Sequence, residues 1–330
     1  MIRWLRKRPA SNDHLVVSWS GHALAYVLAR RGGSNGHQVL RSGVERVAED
    51  QGPGAPNSGL DALVRKLKTM ELDGFQASVM LRPEQYQLLR IRTPAVPPDE
   101  LRAAARYQVV KMLDTPVDDV TVDVMRVGDG RSRGAGHLAG HLFVVAAKRT
   151  VIASIVDLSK AMQWTVAVID IQEMAQRNLQ SALALRGGRG LSGRANAALV
   201  LLDSFHAVLT ICADGELFYA RRFDLPKDFL ASAWEVNEDD SADRFLLEVQ
   251  RSLDLWDRMW VSLPLDRIWL YAGTRSEALA SWLTQQLGQT VQPMDIAAEF
   301  PEFKAEPVSD EALCLPLLGL MLRTEGKSSL

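Results

Sequence analysis

The sequence predicts an α/β protein made of two halves that repeat one plan, with a smaller insert in the first half. Three observations carry this. The stretch HLVVSWSGHALAYVLARRGG, residues 14–33, reads as strand, turn and strand, and ALVLLDSFHAVLTICADGELFYARRF, residues 198–223, is a similar unit far downstream. After each copy, strand and helix patterns alternate, which calls for a sheet covered by helices. Between the copies lies RGGRGLSGRAN, residues 186–196, a linker by composition. The expected divisions are a basic tail over 1–13, a first half over 14–196 with an insert at about 79–127, and a second half over 197–330.

The first half opens with strands at 14–19, 22–30 and 38–47. A helix follows the Gly/Pro-rich loop EDQGPGAPNSG, because Leu60, Leu63, Val64, Leu67 and Met70 keep the spacing of one apolar helix face. Strands are expected at 76–81 and 86–92. Pro97 and Pro98 then pre-set a helix start, and Asp99 and Glu100 suit its first turn, so 101–113 reads as helix. Residues 120–127 alternate as a strand. The run LFVVAA at 142–147 is continuously apolar, as in a strand buried on both faces, and opens a β-α-β-α series through 185. The second half begins with strands at 198–203, 207–213 and 216–223, with Asp214-Gly215 as a hairpin turn. A long helix at 241–260, a strand at 267–271, a helix at 277–287, a short strand at 290–293 and a last helix at 312–323 complete it. Two such halves facing a cleft are the plan of the actin-like ATPase fold.

Composition removes several function classes. The 330 residues are 47% hydrophobic and 24% charged with net charge −2, which suits a globular chain and not a nucleic-acid binder. No apolar run approaches the roughly 20 residues of a membrane span. The tail MIRWLRKRP is basic, but Ser11, Asn12 and Asp13 stand where a signal peptide needs apolar residues, so export is not expected. That tail reads as solvated, or as a contact to anionic lipid through Arg3, Arg6, Lys7 and Arg8. Cys212 and Cys314 sit in apolar runs and read as small buried hydrophobes. No CxxC pair points to a metal.

The segment YQLLRIRTPAVPPDELRAAARYQVVKMLDTPVDDVTVDVM, residues 86–125, resembles the MshI family of MSHA pilus biogenesis proteins. Those are relatives of the type IV pilus protein PilM and of the cytoplasmic domain of the secretion protein GspL. VAVIDIQEMAQRNL (166–179), GELFYARRFDL (215–225), RFLLEVQRSLDLW (244–256) and RIWLYAGTRSEALASWLTQQLGQTVQPMD (267–295) agree in order and spacing. The resemblance implies an actin-like protein at the cytoplasmic face of the inner membrane. It implies docking on the N-terminal tail of a bitopic, PilN-like partner in pilus assembly, and it leaves a homodimer open. The tail of such a partner is extended. The implied groove lies near the insert, with Leu89, Ile91, Val109 and Val110 as candidate lining; the same residues also read as the insert's own core.

The resemblance also locates a nucleotide cleft and suggests its decay. ATP-binding relatives end the first strand of each half in Asp-x-Gly. Here the matching residues are Ser18-Trp19-Ser20, followed by Gly21, and Asp203-Ser204-Phe205. The late glycine-rich turn is Ala272-Gly273-Thr274. The implied remnant therefore comprises Ser18, Ser20, Gly21, Asp203, Ser204, Gly273 and Thr274, with no catalytic residue, no metal and no cofactor. The alternative is an actin-like switch that binds ATP and Mg²⁺ and whose nucleotide state controls partner binding. Asp170 and Glu173, at the crossing between halves, read either as aids to a metal or as a strand end and helix start, where acids are favoured anyway.

Other patterns are set aside. Gly188, Gly190 and Gly193 match GxGxxG but follow a helix and precede a strand, the reverse of the dinucleotide context. His137 and His141 lie in a stretch too glycine-rich for a metal-binding helix. Trp256 and Trp260 read as core. Arg221 and Arg222 read as a solvated strand edge.

Overall fold

The computed structural model describes residues 12–32, 36–47, 58–128, 140–186, 193–201, 206–226, 229–230, 240–303 and 310–323. The first half is built on β1 (Asp13–Trp19), β2 (Ala23–Arg31) and β3 (His37–Arg46), an antiparallel meander. After α1 (Ser58–Thr69) comes β4 (Gln76–Leu81), parallel to β1. The second half is built on β9 (Ala195–Leu201), β10 (His206–Ala213) and β11 (Glu216–Asp224), again a meander, followed by α5 (Ser241–Met259) and β12 (Leu265–Tyr271). With β8 (Thr165–Ile171) and β13 (Val291–Pro293) added, the strand orders are β3-β2-β1-β4-β8 and β11-β10-β9-β12-β13. The two sheets correspond strand for strand, so the repeat seen in the sequence is a repeat of topology. Central strands β1 and β9 are buried along nearly their whole length, which is why both are apolar on both faces. The β10–β11 turn places Asp214 and Gly215 at φ +50° and +80°, as a two-residue hairpin demands.

Helices α3 (Arg149–Met162) and α6 (Ser276–Leu287) cover the outer faces of the two sheets, with α1 and α5 beside them. Between the sheets lie α4 (Gln172–Arg186) and α8 (Glu311–Met321), with the short α7 (Ile296–Glu299) leading into the last segment. Ala175, Leu179 and Leu183 of α4 join Leu317, Leu318 and Met321 of α8 in one core with strands from both halves. The remaining face of α4 is a glutamine ladder against the second sheet. The Gln176 amide donates to the Ala198 carbonyl at 2.8 Å and to Thr210 Oγ1 at 3.0 Å, and Thr210 donates on to Gln180 Oε1 at 2.9 Å. Buried amides need such partners, and Gln176 Nε2 and the Gln180 amide find them on β9 and β10. Cys212 and Cys314 are free and buried, and burial pushes the Cys314 thiol up to about 12.

The insert differs from the expectation of a β-β-α-β unit over about 79–127. Its sheet is β5 (Tyr86–Arg92), β7 (His141–Lys148) and β6 (Val120–Arg126), antiparallel with β7 in the centre, and α2 (Leu101–Val109) packs on one face. Residues 79–81 belong instead to β4, where Val79 pairs with Val17 and Ile169 of the main sheet. The run at 142–147 is buried on both faces as read, but in the insert. Leu142, Val144 and Ala146 face α2, while Phe143 and Ala147 face the body. Helix α2 also stops at Val109, and Val110–Met112 is a 3₁₀ turn. Among the described residues no helix is long and apolar enough to cross a membrane.

Helices α8 and α4 meet closely where they cross at Gly319 and Ala175. A Cβ on Gly319 would lie 1.9 Å from the Ala175 carbonyl oxygen, and Asn178 donates to the Gly319 carbonyl at 3.0 Å. Gly319→Ala should therefore lose about 1–3 kcal/mol in urea unfolding despite alanine's better helix propensity, because backbone cannot yield as a side chain does.

Candidate functional site

The turn between β1 and β2 is where the first phosphate contact of an actin-like site belongs. Here it satisfies itself. Ser20 Oγ accepts from the Ala23 N–H at 3.0 Å and the His22 N–H at 3.3 Å, and the Ser20 N–H donates to the Ala23 carbonyl at 3.1 Å. Gly21 takes φ +91° with open space around it, so glycine is kept for conformation. Ser18, where an acid would orient a metal, is buried, and its hydroxyl has no hydrogen-bond partner. The late turn closes in the same manner. Ser276 Oγ accepts from the Ala272 N–H at 2.8 Å and donates to the Gly273 carbonyl at 2.7 Å, with Thr274 inside that turn. Asp203, Ser204 and Phe205 lie outside the described residues, as do His137, Gly188 and Gly190.

The two acids at the crossing between halves are committed to arginines. Asp170 Oδ1 accepts from the Ile171 N–H at 2.8 Å, and its other oxygen pairs with Arg323. Glu173, 1% exposed, accepts from Arg222 Nε at 2.7 Å through one oxygen and from the Tyr86 hydroxyl through the other. Arg222 also donates to the Pro83 carbonyl at 2.6 Å and stacks over the Tyr86 ring, 4.3 Å from its centroid. The reading of Arg222 as a solvated edge is thereby corrected. Its side chain is 27% exposed and reaches inward, because Glu173 needs a compensating charge. Burial, reinforced by the Glu173 carboxylate, holds the Tyr86 phenol well above its usual value, so it remains a neutral donor. Neither Asp170 nor Glu173 is left to orient a metal, and among the described residues no group of three or more His, Cys, Asp or Glu side chains could hold one.

Beside this hub a cavity of about 210 Å³ opens between the halves, lined by residues that include Ser18, Arg82, Gln172, His206 and Arg222. Of the remnant residues expected in the cleft, Ser18 lines it; Ser20, Gly21, Gly273 and Thr274 do not. Sequence reading missed Gln172 and Arg222. The one available signal was the Gln172, Gln176, Gln180 spacing, a polar stripe on a helix flanked by strands. The candidates for partner contact separate clearly. Ile91 and Val109 are buried in the insert core and Leu89 packs against it, while Val110 is exposed, near the exposed Tyr107 and Met112.

The hub makes a direct prediction. Arg222→Met strands a buried carboxylate and should cost about 3–5 kcal/mol in chemical denaturation. Adding Glu173→Gln to it should recover part of that loss, the sign of direct coupling.

No family model and no curated protein sequence matches the chain. Solved structures do. A PilM–PilN type IV pilus biogenesis complex is similar at a TM-score of 0.65 and 18% identity, over 94% of this chain and 99% of that one. A Bacteroides thetaiotaomicron protein with an actin-like ATPase fold and unknown function is similar at 0.52 and 10% identity, again over 94% and 99%. The cytoplasmic domain of EpsL, an inner-membrane component of the Vibrio cholerae type II secretion system, gives 0.46 and 14% identity over 94% of each chain. At such identities the likeness is one of fold, and with the strand-for-strand repeat above it establishes an actin-like ATPase fold for this chain.

Proposed function

We propose that this chain is a non-enzymatic scaffold for assembly of a type IV pilus of the MSHA type. It works at the cytoplasmic face of the inner membrane and docks on the N-terminal tail of a bitopic, PilN-like partner. The observation that carries the reading is the state of the cleft. Among the described residues, the two acids at the crossing, Glu173 and Asp170, are paired with Arg222 and Arg323, and in the first turn the Ser20 hydroxyl accepts from the His22 and Ala23 N–H groups. Hydrolysis of a phosphoanhydride needs donors and cations preorganised around transferring charge, and Arg222, Arg323 and the Ser20 turn are committed to internal contacts instead. The motifs at 86–125 and 267–295, and the fold shared with a PilM–PilN complex, support the choice of system.

The docking surface we favour is the outer side of the insert. Strand β5 is an edge strand of its sheet, the position at which an extended peptide adds, although its first carbonyl, at Tyr86, is approached by Arg222 at 3.5 Å. Val110, Tyr107 and Met112 give exposed apolar surface on the adjoining helix and turn. Leu89, Ile91 and Val109 act from behind, as the core that sets the shape of that surface.

Two outcomes test this. Mg-ATP at millimolar concentration should leave the melting temperature unchanged and release no phosphate; a saturable shift with turnover would establish the ATP switch instead. Val110→Asp should weaken capture of the partner's tail peptide by about tenfold or more with little change in melting temperature. Unchanged capture would move the docking surface off α2 and its 3₁₀ turn.

A further inference from the structure

Three arginines gather where edge strand β5 of the insert meets the end of α5. Arg90 and Arg92 stand two apart on β5, so their side chains share one face of the sheet. Leu88, on that same face, packs into the body. Arg90 reaches the second half, donating to Met259 Sδ at 3.8 Å, and Arg258 precedes Met259 on the last turn of α5. All three arginines are exposed, and among the described residues none has a carboxylate partner. Other arginines nearby behave differently: Arg221 and Arg251 both pair with Glu248, and Arg222 pairs with Glu173. The acids of the last turns of α5, Asp254 and Asp257, are five and two positions before Met259, which turns them away from the insert. Leu255, four before Met259 and on its side of the helix, is 39% exposed. The main chain is set for pairing at the same place. The Thr93 N–H donates to the Gly140 carbonyl at 2.6 Å, so the groups of Leu89, Ile91 and Thr93 face β7, and those of Leu88, Arg90 and Arg92 face outward.

We propose that this edge takes an extended peptide whose alternate side chains are acidic. The inference rests on the docking surface favoured above and adds the chemistry of its occupant. Strand addition sends successive peptide side chains to opposite faces of the sheet. One set meets the exposed apolar surface of Val110 and Met112 on the α2 side. The other set meets Arg90, Arg92 and Arg258 on the body side. Guanidinium groups in search of acceptors select carboxylates, and they reject a basic segment by like-charge repulsion. The fitting partner segment therefore alternates acidic and apolar residues.

The experiment titrates the whole chain into two fluorescent synthetic peptides, one alternating valine and glutamate and one alternating valine and lysine, with anisotropy as the readout. The valine–glutamate peptide should bind saturably and about tenfold or more tightly than the valine–lysine peptide, and the preference should shrink as salt rises. Arg90→Glu and Arg92→Glu should each weaken its binding by about fivefold or more, with the melting temperature unchanged because both side chains are exposed. Equal binding of the two peptides, or saturable binding of neither, would overturn the inference. Binding lost in Val110→Asp but kept in both arginine variants would overturn it while leaving the docking surface at the α2 turn standing. Binding kept in all three variants would overturn both. Cosedimentation with phosphatidylglycerol vesicles that is lost in Arg90→Glu, without peptide binding, would assign the arginines to a lipid surface and overturn the peptide inference as well.

Discussion

One buried carboxylate organises this molecule. Glu173 stands in the first turn of the helix that crosses between halves, and it accepts from Arg222 of the second half and Tyr86 of the insert. Three segments far apart in sequence are thus fixed at one point. A buried ion pair of this kind adds little net stability compared with apolar packing, because desolvation offsets the attraction. What it contributes is position: any other seating of β5 or β11 against α4 would leave a charge unpaired in the interior. From that point α4 extends between the sheets, α8 crosses it at Gly319, and the glutamine ladder sets its rotation against β9 and β10.

The insert adds a second bond between the halves. Gly128, at φ +63°, donates to the Leu217 carbonyl at 2.7 Å and lies so close to Phe218 that a Cβ would sit 2.4 Å from the ring. Phe143 and Val127 enter the second-half core with Phe218, and Phe218 meets Trp260 edge-on at 4.9 Å. A nucleotide-driven machine needs two arrangements of its halves with a small energy gap between them. Here the contacts that hold the halves run through the insert as well as through α4 and α8. That suits the scaffold role proposed for this chain.

Much of this was legible in the sequence. Apolar periodicity located nearly every strand and helix, since each half-buried or fully buried element imprints its own period. The sheet to which 142–147 belongs was not legible, because a strand central to either sheet is apolar on both faces and only pairing distinguishes them. The roles of Glu173 and Arg222 were hidden for a related reason. Each residue alone has an ordinary surface explanation, and they lie 49 positions apart. The pairing of Asp170 with Arg323, 153 positions away, has no local signature either. Val110 is exposed while its neighbour Val109 is buried, a distinction set by helix phase at the end of α2 that the two adjacent valines did not reveal.

The halves and the insert are pinned to one another at Glu173 and should behave as one locked unit. Native-state hydrogen exchange tests it most directly. The slowest amides of α4, β5 and β11 should share one opening free energy, equal to that of global unfolding and unmoved by Mg-ATP. A second half that opens at lower free energy than the first, or protection in α4 and β11 that rises with Mg-ATP, would contradict the account.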